Sequence, residues 1–181
     1  MTLVIGLVGR IASGKGEVAK FLEKEFGAKT FVFSDILKDV LVRLHIRVER
    51  GNLQTLGEEL RRDFGADTLV NAMREDIAKY QGDIVVVDGI RFPNEVQMVR
   101  GFPENKLLYI DAPQNERYKR ACLRGTRGEA TLSFEEFQAI EQRETEKHLD
   151  EVIGQADHRI ENTGTLEVLK EKVREIIESR A

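Results

Sequence analysis

The sequence of 181 residues has a single cysteine, Cys122, and no tryptophan. One cysteine cannot form an internal disulfide, and such a composition is typical of a reducing compartment, so we expect a cytoplasmic protein. Long apolar runs are also missing. The apolar run near the start, Leu3–Val8, is too short to cross a membrane and has no basic segment before it, so no membrane partner or secretory leader is expected.

A strong excess of charge is missing as well. The formal net charge is −4 and the pI is near 5.6, which argues against broad, unspecific binding of nucleic acid but allows a local cluster of arginines around a phosphate. Apolar residues make up 41% of the chain and charged residues 33%, the balance of a globular domain. The length suits one domain with a sizeable core.

Short apolar runs rich in β-branched residues alternate with helical patterns along the chain. The predicted strands are Leu3–Val8, Thr30–Phe33, Ile84–Val87, Lys106–Ile110 and His158–Ile160. The predicted helices are Gly14–Phe26, Asp67–Tyr80, Asn115–Leu123, Ser133–His148 and Leu166–Ser179. Alternating strands and helices favour right-handed crossovers, so we expect an α/β fold of three layers, with a five-stranded parallel sheet flanked by helices.

Two stretches exceed what this alternation needs. Residues 34–80 hold about two helices more than one crossover requires, and residues 124–148 form a charged excursion after the fourth strand. Because ligands of open α/β sheets bind at the carboxyl ends of the strands, both stretches are expected to close over a substrate. The predicted organisation is one domain over 1–181. Its core is 1–33, 81–123 and 149–181, its acceptor-binding insertion is 34–80 and its lid is 124–148.

The segment after the first strand is rich in glycine and ends in a lysine. Residues 9–15 match the pattern G-x-x-x-x-G-K between a buried strand and an amphipathic helix. Glycines let backbone amides turn toward phosphate oxygens, the helix N-terminus adds partial positive charge, and Lys15 reaches the β and γ oxygens. We therefore expect the phosphates of a nucleoside triphosphate here, and the loop does not distinguish ATP from GTP. The residues expected to contact the nucleotide are Gly9, Ile11, Ala12, Ser13, Gly14, Lys15, Gly16 and Glu17.

One position departs from the usual phosphate-binding loop. Gly16 stands where a Ser or Thr would hold Mg²⁺, and the role of Glu17 after it is open. Magnesium must then be held by other groups, mostly through water. Asp88 directly follows the strand Ile84–Val87, whose carboxyl edge faces the loop, so we expect Asp88 to hold a water of the Mg²⁺ shell.

The loop and the segment after Asp88 resemble P-loop nucleotide kinases. Glycine after the loop lysine is similar to adenylate kinases, and the run Asp-Gly-Ile-Arg-Phe-Pro-Asn-Glu at 88–95 resembles the acceptor-site segment of nucleotide kinases. This resemblance implies that Arg91 grips the phosphate of the acceptor, a task suited to a planar guanidinium fork. A surface salt bridge is the alternative role for Arg91.

Two further segments carry the resemblance. Residues 33–38 resemble the run that opens the monophosphate-binding insertion, with Lys38 in place of an arginine, and Asp35 stands where dephospho-CoA kinases also have an acidic residue. The opening loop is itself similar to that of dephospho-CoA kinases. Residues 156–164 are similar to the segment that borders the adenine of ATP in both groups, which implies nucleotide contacts by Asn162 and Gly164.

Four arginines, at 117, 120, 124 and 127, fall within eleven positions. Their spacings of three and four predict one side of a helix that continues into a loop. Kinases of this kind surround the moving phosphoryl group with cations from a lid. We therefore expect Arg120 to contact ATP and Arg124 and Arg127 to neutralise charge during transfer, with Arg143 as a further candidate. A solvated basic helix face is the alternative.

These features favour a phosphotransferase that moves the γ-phosphoryl group of ATP·Mg²⁺ to a small nucleotide, with a (deoxy)nucleoside monophosphate as the favoured acceptor. Lys15, Arg91, Arg124 and Arg127 are the expected catalytic cations, and Asp35 would orient or deprotonate an acceptor hydroxyl. One alternative is a dephospho-CoA kinase that phosphorylates a ribose 3′-hydroxyl. Another is a nucleotide-binding regulatory or assembly factor with slow ATPase activity. No nucleic-acid partner is expected, and the protein is expected to be a monomer or homodimer.

Overall fold

The computed structural model of the chain describes residues 2–124, 131–142 and 148–179. Its strands are β1 (Leu3–Val8), β2 (Lys29–Val32), β3 (Ile84–Ile90), β4 (Glu104–Asp111) and β5 (His158–Glu161). Its helices are α1 (Lys15–Phe26), α2 (Phe33–Arg43), α3 (Arg50–Phe64), α4 (Thr68–Lys79), α5 (Pro93–Arg100), α6 (Gln114–Arg124), α7 (Phe134–Glu141), α8 (Leu149–Ile153) and α9 (Leu166–Glu178). None of the helices in these ranges is long and apolar enough to span a bilayer.

The five strands form one parallel sheet in the order β2-β3-β1-β4-β5. This confirms the predicted fold class. β1 lies at the centre, and every residue of it is buried, as expected for a strand covered on both faces. The chain leaves β1 toward one edge of the sheet and leaves its neighbour β3 toward the other. A ligand crevice therefore opens beyond the carboxyl ends of these two strands.

Alternate strand residues point to opposite faces of the sheet and build two apolar layers. On one face, Ile5 and Leu7 of β1 pack with side chains of α1 and α9. On the other face, Val4 and Val8 pack with side chains of α2, α4, α5 and α8. Burying a Val, Leu or Ile side chain contributes about 1.5–3 kcal/mol, so these layers hold the sheet edge in place for the site.

Residues 34–80 form most of α2 and all of α3 and α4. Helix α4 is the crossover that returns to β3, because its apolar residues are buried in the core beside the sheet. They are Leu69, Val70, Met73 and Ile77. Helices α2 and α3 are therefore the two additional helices that the length of this stretch predicts.

Several element boundaries differ from the sequence-based expectation. Strand β3, for example, was expected to end at Val87 but continues to Ile90. Phe33 was expected to end the second strand, but β2 pairs with β3 only as far as Val32 opposite Asp88, and Gly89 then takes a φ of 85°. The ladder stops there, and Phe33 starts α2 with its side chain buried. The helix predicted over 133–148 is too long, because α7 ends at Glu141. Residues 143–147 lie outside the described ranges.

Candidate active site

The loop between β1 and α1 turns at three residues with positive φ: Gly9 (155°), Ala12 (58°) and Gly14 (111°). A Cβ on Gly9 would lie 2.5 Å from the carbonyl oxygen of Ile110, and one on Gly14 would lie 2.3 Å from Nδ2 of Asn162, so only glycine fits these positions. Ala12 adopts a left-handed conformation that costs an L-residue about 1–2 kcal/mol. Contacts around the loop must therefore hold its shape.

Lys15 supplies the first of these contacts. It is the first residue of α1, directly after the N-cap Gly14. Its Nζ donates hydrogen bonds to the carbonyl oxygens of Gly9, at 2.6 Å, and Arg10, at 3.2 Å. The ammonium group therefore lies over the loop at the positive end of the helix dipole, where an anion would be favoured.

Two side chains from outside the loop donate hydrogen bonds to other carbonyl oxygens of the loop. Nη1 of Arg117 donates to the carbonyl oxygen of Ile11 at 3.3 Å, and Nδ2 of Asn162 donates to that of Ser13 at 2.8 Å. A trans peptide is planar, so a fixed carbonyl also fixes the following N–H in the opposite direction. These bonds therefore orient the N–H groups of Ala12 and Gly14 away from the supporting side chains, an arrangement suited to binding phosphate oxygens.

Two buried polar atoms beside the loop have no hydrogen-bond partner within the described ranges. They are Oγ of Ser13 and Nη1 of Arg120. Arg120 also donates through Nη2 to the carbonyl oxygen of Asn162 at 2.9 Å, so its guanidinium is held next to the loop support. An unsatisfied buried polar group costs about 1–3 kcal/mol. Both atoms fit an anionic ligand with several acceptor oxygens, such as a nucleoside triphosphate.

The residues around the loop also fit a magnesium ion held through water. Asp88 is half-buried in β3 and lies opposite Leu7, two residues before the loop. At Gly16 a Cβ would meet nothing within 4 Å, which leaves open space. Carboxylate oxygens suit Mg²⁺, which keeps several of its waters. In the part of the chain that the structure describes, no three His, Cys, Asp or Glu side chains form a direct metal-binding group.

A buried carboxylate, Glu95, organises the segment after β3. It is 3% exposed, and its Oε2 accepts the N–H groups of Arg91, at 2.7 Å, and Phe92, at 3.2 Å. Burial raises the pKa of Glu95, while the two amide bonds and the charges of Arg61 and Arg91 act in the opposite direction. Glu95 therefore fixes the turn that carries Arg91 and places negative charge close to two arginines.

Arg61 of α3, within the predicted insertion 34–80, also lies close to Glu95. Its Nη2 lies 4.0 Å from Oε1 of Glu95, and its guanidinium carbon lies 4.9 Å from the ring centroid of Phe92. Burial lowers the pKa of Arg61, and the charge of Arg91 acts in the same direction, while Glu95 opposes both. A guanidinium group nevertheless remains charged near neutral pH. Two cations thus lie near one buried carboxylate beyond β3.

A cavity of about 450 Å³ opens beside Arg61. Phe92, Asp67 and His148 are among its lining residues. Helix α8, which follows His148, is also tied to the phosphate loop, because Oδ1 of Asp150 accepts a hydrogen bond from Nη2 of Arg10 at 2.6 Å. The loop and the cavity therefore lie at the same end of the sheet with α8 as their shared neighbour.

Two other predicted site residues form surface ion pairs. Asp35 pairs with Lys38 at 2.5 Å on α2, and Glu17 pairs with Lys20 at 3.0 Å on α1. The two carboxylate side chains are 54% and 49% exposed. Exposed pairs of this kind contribute about 0–1 kcal/mol to stability. Any part of Asp35 or Glu17 in chemistry stays a prediction.

The arginines of α6 lie in three different environments. Arg117 is buried and bound to a carboxylate of α7. Arg120 is partly buried beside the loop, and Arg124 is the exposed last residue of the helix. Arg127 and Arg143 lie outside the described residues. The arginines that the spacing predicted to share one helix face therefore range from buried (Arg117) to exposed (Arg124).

Asn162 and Gly164 occupy the turn between β5 and α9. Asn162 is 7% exposed, and its main-chain N–H donates to the carbonyl oxygen of Asp111 at 2.7 Å while its side chain supports the loop. Gly164 lies against Val168, with 3.6 Å between a Cβ placed on it and the valine side chain. The contact of Asn162 with the loop itself is a support that the sequence did not reveal.

Three residues of this site were missed by sequence reasoning: Arg61, Arg117 in its buried role, and Glu141. Glu95 was included in the run 88–95, but no role was assigned to it. Glu95 left a readable signal, because a Glu two residues after Pro93 is typical of the first turn of a helix. Arg61 and Glu141 left none, since each lies in a run of alternating charges that also fits a solvated helix face. Their roles depend on contacts between elements distant in the sequence.

The sheet order, the phosphate-binding loop and the helices on both faces define a P-loop kinase-like fold. A family model described as "AAA domain" matches residues 8–138. A UPF0200 protein of Methanoculleus marisnigri is 31% identical over 175 residues, covering 96% of this chain and 94% of its own. A UPF0200 protein of Methanoregula boonei is 30% identical over 177 residues, covering 97% and 96%. The chain therefore belongs to the UPF0200 family of P-loop AAA-domain proteins.

Solved structures agree on the fold. Shikimate kinase from Bacteroides thetaiotaomicron superposes with a TM-score of 0.63 at 17% identity, over 97% of this chain and 98% of its own. Shikimate kinase from Aquifex aeolicus gives a TM-score of 0.57 at 13% identity, over 97% and 96%. At such identities the likeness concerns architecture alone.

Proposed function

We propose that this protein transfers the γ-phosphoryl group of ATP to the phosphate of a small nucleotide, with a (deoxy)nucleoside monophosphate as acceptor. The observation that carries this proposal is the pair Arg61 and Arg91, which share the buried Glu95 beyond β3. A phosphate acceptor brings two negative charges, and a pair of guanidinium groups matches them.

The donor half of the site rests on the loop. The N–H groups of residues 9–16 and Nζ of Lys15 would hold the β and γ oxygens of ATP, and Arg120 would offer its buried Nη1 to the same ligand. When bound, Mg²⁺ neutralises charge on the β and γ oxygens. Asp88 would hold the ion through water, which suits the absence of a hydroxyl at Gly16.

The transfer step then needs little from the protein beyond position and charge. An oxygen of the acceptor phosphate forms a bond to the γ phosphorus, the bond from the γ phosphorus to the β–γ bridging oxygen breaks, and ADP leaves with that electron pair. Lys15 would stabilise the leaving oxygens, Arg91 would orient the acceptor, and Arg124 and Arg127 would approach from the lid. An ionised phosphate needs no base.

That last point bears on the alternative acceptor. A ribose hydroxyl, as in dephospho-CoA, would need a base, for which Asp35 is the candidate. Asp35 is exposed and paired with Lys38. The lysine Nζ donates to Oδ1 of this carboxylate, and a base would need a free carboxylate oxygen to accept the proton of a hydroxyl, so this contact supports a phosphate acceptor.

An assay of ADP release over a panel of acceptors tests the proposal. The panel comprises the ribo- and deoxynucleoside monophosphates, dephospho-CoA and, because of the fold neighbours, shikimate. We expect release that depends on one or a few monophosphates. ADP release that depends on dephospho-CoA or shikimate would show that the proposed acceptor is wrong and that this compound takes its place. Release that is slow and independent of every acceptor would favour a regulatory or assembly factor instead.

A further inference from the structure

Arg117 and Glu141 form a buried ion pair beside the phosphate loop. Their side chains are 5% and 7% exposed. Both terminal nitrogens of Arg117 donate to the carboxylate of Glu141, and Nε2 of Gln114 donates to the same carboxylate at 2.8 Å. Removing two charges from water is costly, and apolar residues of similar volume often serve stability equally well. Stability alone therefore does not explain the pair.

The other donors of Arg117 point to a second task. Its Nε donates to the carbonyl oxygen of Ala112 at the end of β4, at 2.9 Å, and Nη1 donates to that of Ile11 at 3.3 Å. The peptide that follows Ile11 leads into Ala12, the loop residue with a left-handed backbone and a Cβ. Arg117 thus holds the loop at its strained peptide and joins it to the sheet.

Glu141 extends this connection to the lid. It is the last residue of α7, whereas Arg117 belongs to α6. The predicted lid, 124–148, includes all of α7. Phe137 of α7 is 1% exposed and packs within 5.7 Å of the ring of Tyr118 and 5.9 Å of the Arg117 guanidinium carbon. These contacts hold α6 and α7 together and connect both helices to the loop.

We propose that Arg117 is a positioning residue for nucleotide binding. Glu141 fixes the direction of its guanidinium group, and the guanidinium keeps the peptide between Ile11 and Ala12 oriented with its N–H toward the phosphates. Arg117 does not itself touch the nucleotide. This inference rests on the proposed function only to the extent that the loop binds a nucleotide.

The double variant Arg117→Met/Glu141→Leu tests this role, because it replaces the pair by apolar side chains of similar size. Calorimetric titration with ADP·Mg²⁺ and thermal unfolding are measured on the same protein. We expect a folded protein whose unfolding temperature is a few degrees lower, because the carbonyl oxygen of Ala112 loses its donor, and a dissociation constant for ADP raised about tenfold or more. The matched control is Arg174→Met on α9, which removes an arginine paired with Glu171 and Glu25 far from the loop and should leave ADP affinity unchanged.

A folded double variant with the ADP affinity of the wild type would overturn the inference. If the double variant does not fold, Arg117→Lys takes its place, since one ammonium keeps the charge beside Glu141 but cannot reach the oxygens of Ala112 and Ile11 together. Unchanged affinity in that variant would also overturn it, as would failure of both variants to fold, because the pair would then serve folding. A wild-type protein that binds no ADP would instead refute the proposed function.

Discussion

The side-chain amide of Asn162, in the last turn before α9, donates a hydrogen bond of 2.8 Å to the carbonyl oxygen of Ser13 in the phosphate loop. The two residues are 149 positions apart in the sequence. The same amide nitrogen lies only 2.3 Å from the position that a Cβ on Gly14 would take, so no other residue type would fit at Gly14. The loop is thus shaped by the far end of the chain, and its affinity for phosphate should depend on that contact.

Replacing Asn162 by Ala should therefore weaken nucleotide binding. The variant leaves the buried oxygen of Ser13 without this donor, at a cost of about 1–3 kcal/mol, or roughly a factor of 5–150 in ADP affinity if the loop loses its shape. Calorimetric titration with ADP·Mg²⁺ measures this change in affinity. Asn105→Ala is the control, because Asn105 also donates to a backbone carbonyl, that of Phe102, but lies away from the loop. Equal affinities in the two variants would contradict this role.

The arginines beyond β3 lead to a prediction about the acceptor. Arg61→Met and Arg91→Met should each raise the acceptor KM by about 10–100-fold, because a hydrogen bond to a charged group contributes about 1.5–3 kcal/mol. The KM for ATP should change little. Arg62→Met is a matched control, since Arg62 is next to Arg61 on α3 but pairs with Glu59 and Asp63 on the exposed side. An unchanged acceptor KM in the Arg61 variant would remove Arg61 from the acceptor site.

The buried Glu95 should make stability depend on pH. Because burial raises its pKa in the folded protein, the unfolded chain loses this proton first as pH rises, and folding becomes less favourable from the ordinary value near 4.5 up to the raised value. Glu95→Gln cannot titrate, and its stability relative to the wild type should therefore grow with pH through this window and then level off.

Urea unfolding of the wild type and of Glu95→Gln at a series of pH values from 4 to about 8 measures this difference. The other titrating groups are common to both proteins, so their contributions largely cancel in the difference between the two unfolding free energies. A difference in unfolding free energy that stays constant across the series would show that the carboxyl group has no raised pKa. The acceptor KM of the same variant reports whether the turn at Arg91 keeps its shape.

The sequence predicts the parallel sheet and the phosphate loop because both depend on local patterns. Leu3–Val8 is uniformly apolar, and the positive φ values at Gly9 and Gly14 can be read from the residue type. Helix α5 was missed because it has only eight residues, too few for a clear period, although Pro93 marks its start. The end of β2 could not be predicted, since it is set by the turn at Gly89 in a neighbouring strand.

The candidate site was predicted where one residue type suits one task, and missed where a contact joins distant elements. Lys15 and Asp88 lie beside the loop as the spacing required. Arg117 was grouped with Arg120, Arg124 and Arg127, because helical spacing alone cannot distinguish a buried helix face from a solvated one. Its partner Glu141 is 24 positions away, in a helix that packs on α6 through side chains such as Phe137.

A variant of the exposed residue Asp35 can distinguish a phosphate acceptor from a hydroxyl acceptor. If the acceptor is a phosphate, Asp35→Asn should keep kcat within about threefold, because no proton has to be removed, whereas loss of a general base typically costs 10²–10⁴-fold, roughly. The measurement is kcat with the acceptor found in the panel. Lys38→Met is the matched control, since it breaks the same ion pair and leaves the carboxylate in place. A loss of more than about a hundredfold confined to the Asp35 variant would favour a hydroxyl acceptor.

Gly16 offers a direct test of how magnesium is held. A Cβ there meets nothing within 4 Å, so a serine side chain fits, and its hydroxyl would stand at the position where P-loop proteins usually contact Mg²⁺. Gly16→Ser should therefore lower the Mg²⁺ concentration needed for half-maximal ADP binding, by about fivefold if the hydroxyl contributes ~1 kcal/mol. Gly16→Ala adds the same Cβ without the hydroxyl and should share only the gain in helix stability, about 0.5–1 kcal/mol. If the two variants show the same Mg²⁺ dependence, the ion does not approach residue 16. Magnesium would then have to be held by Asp88 of β3 through water.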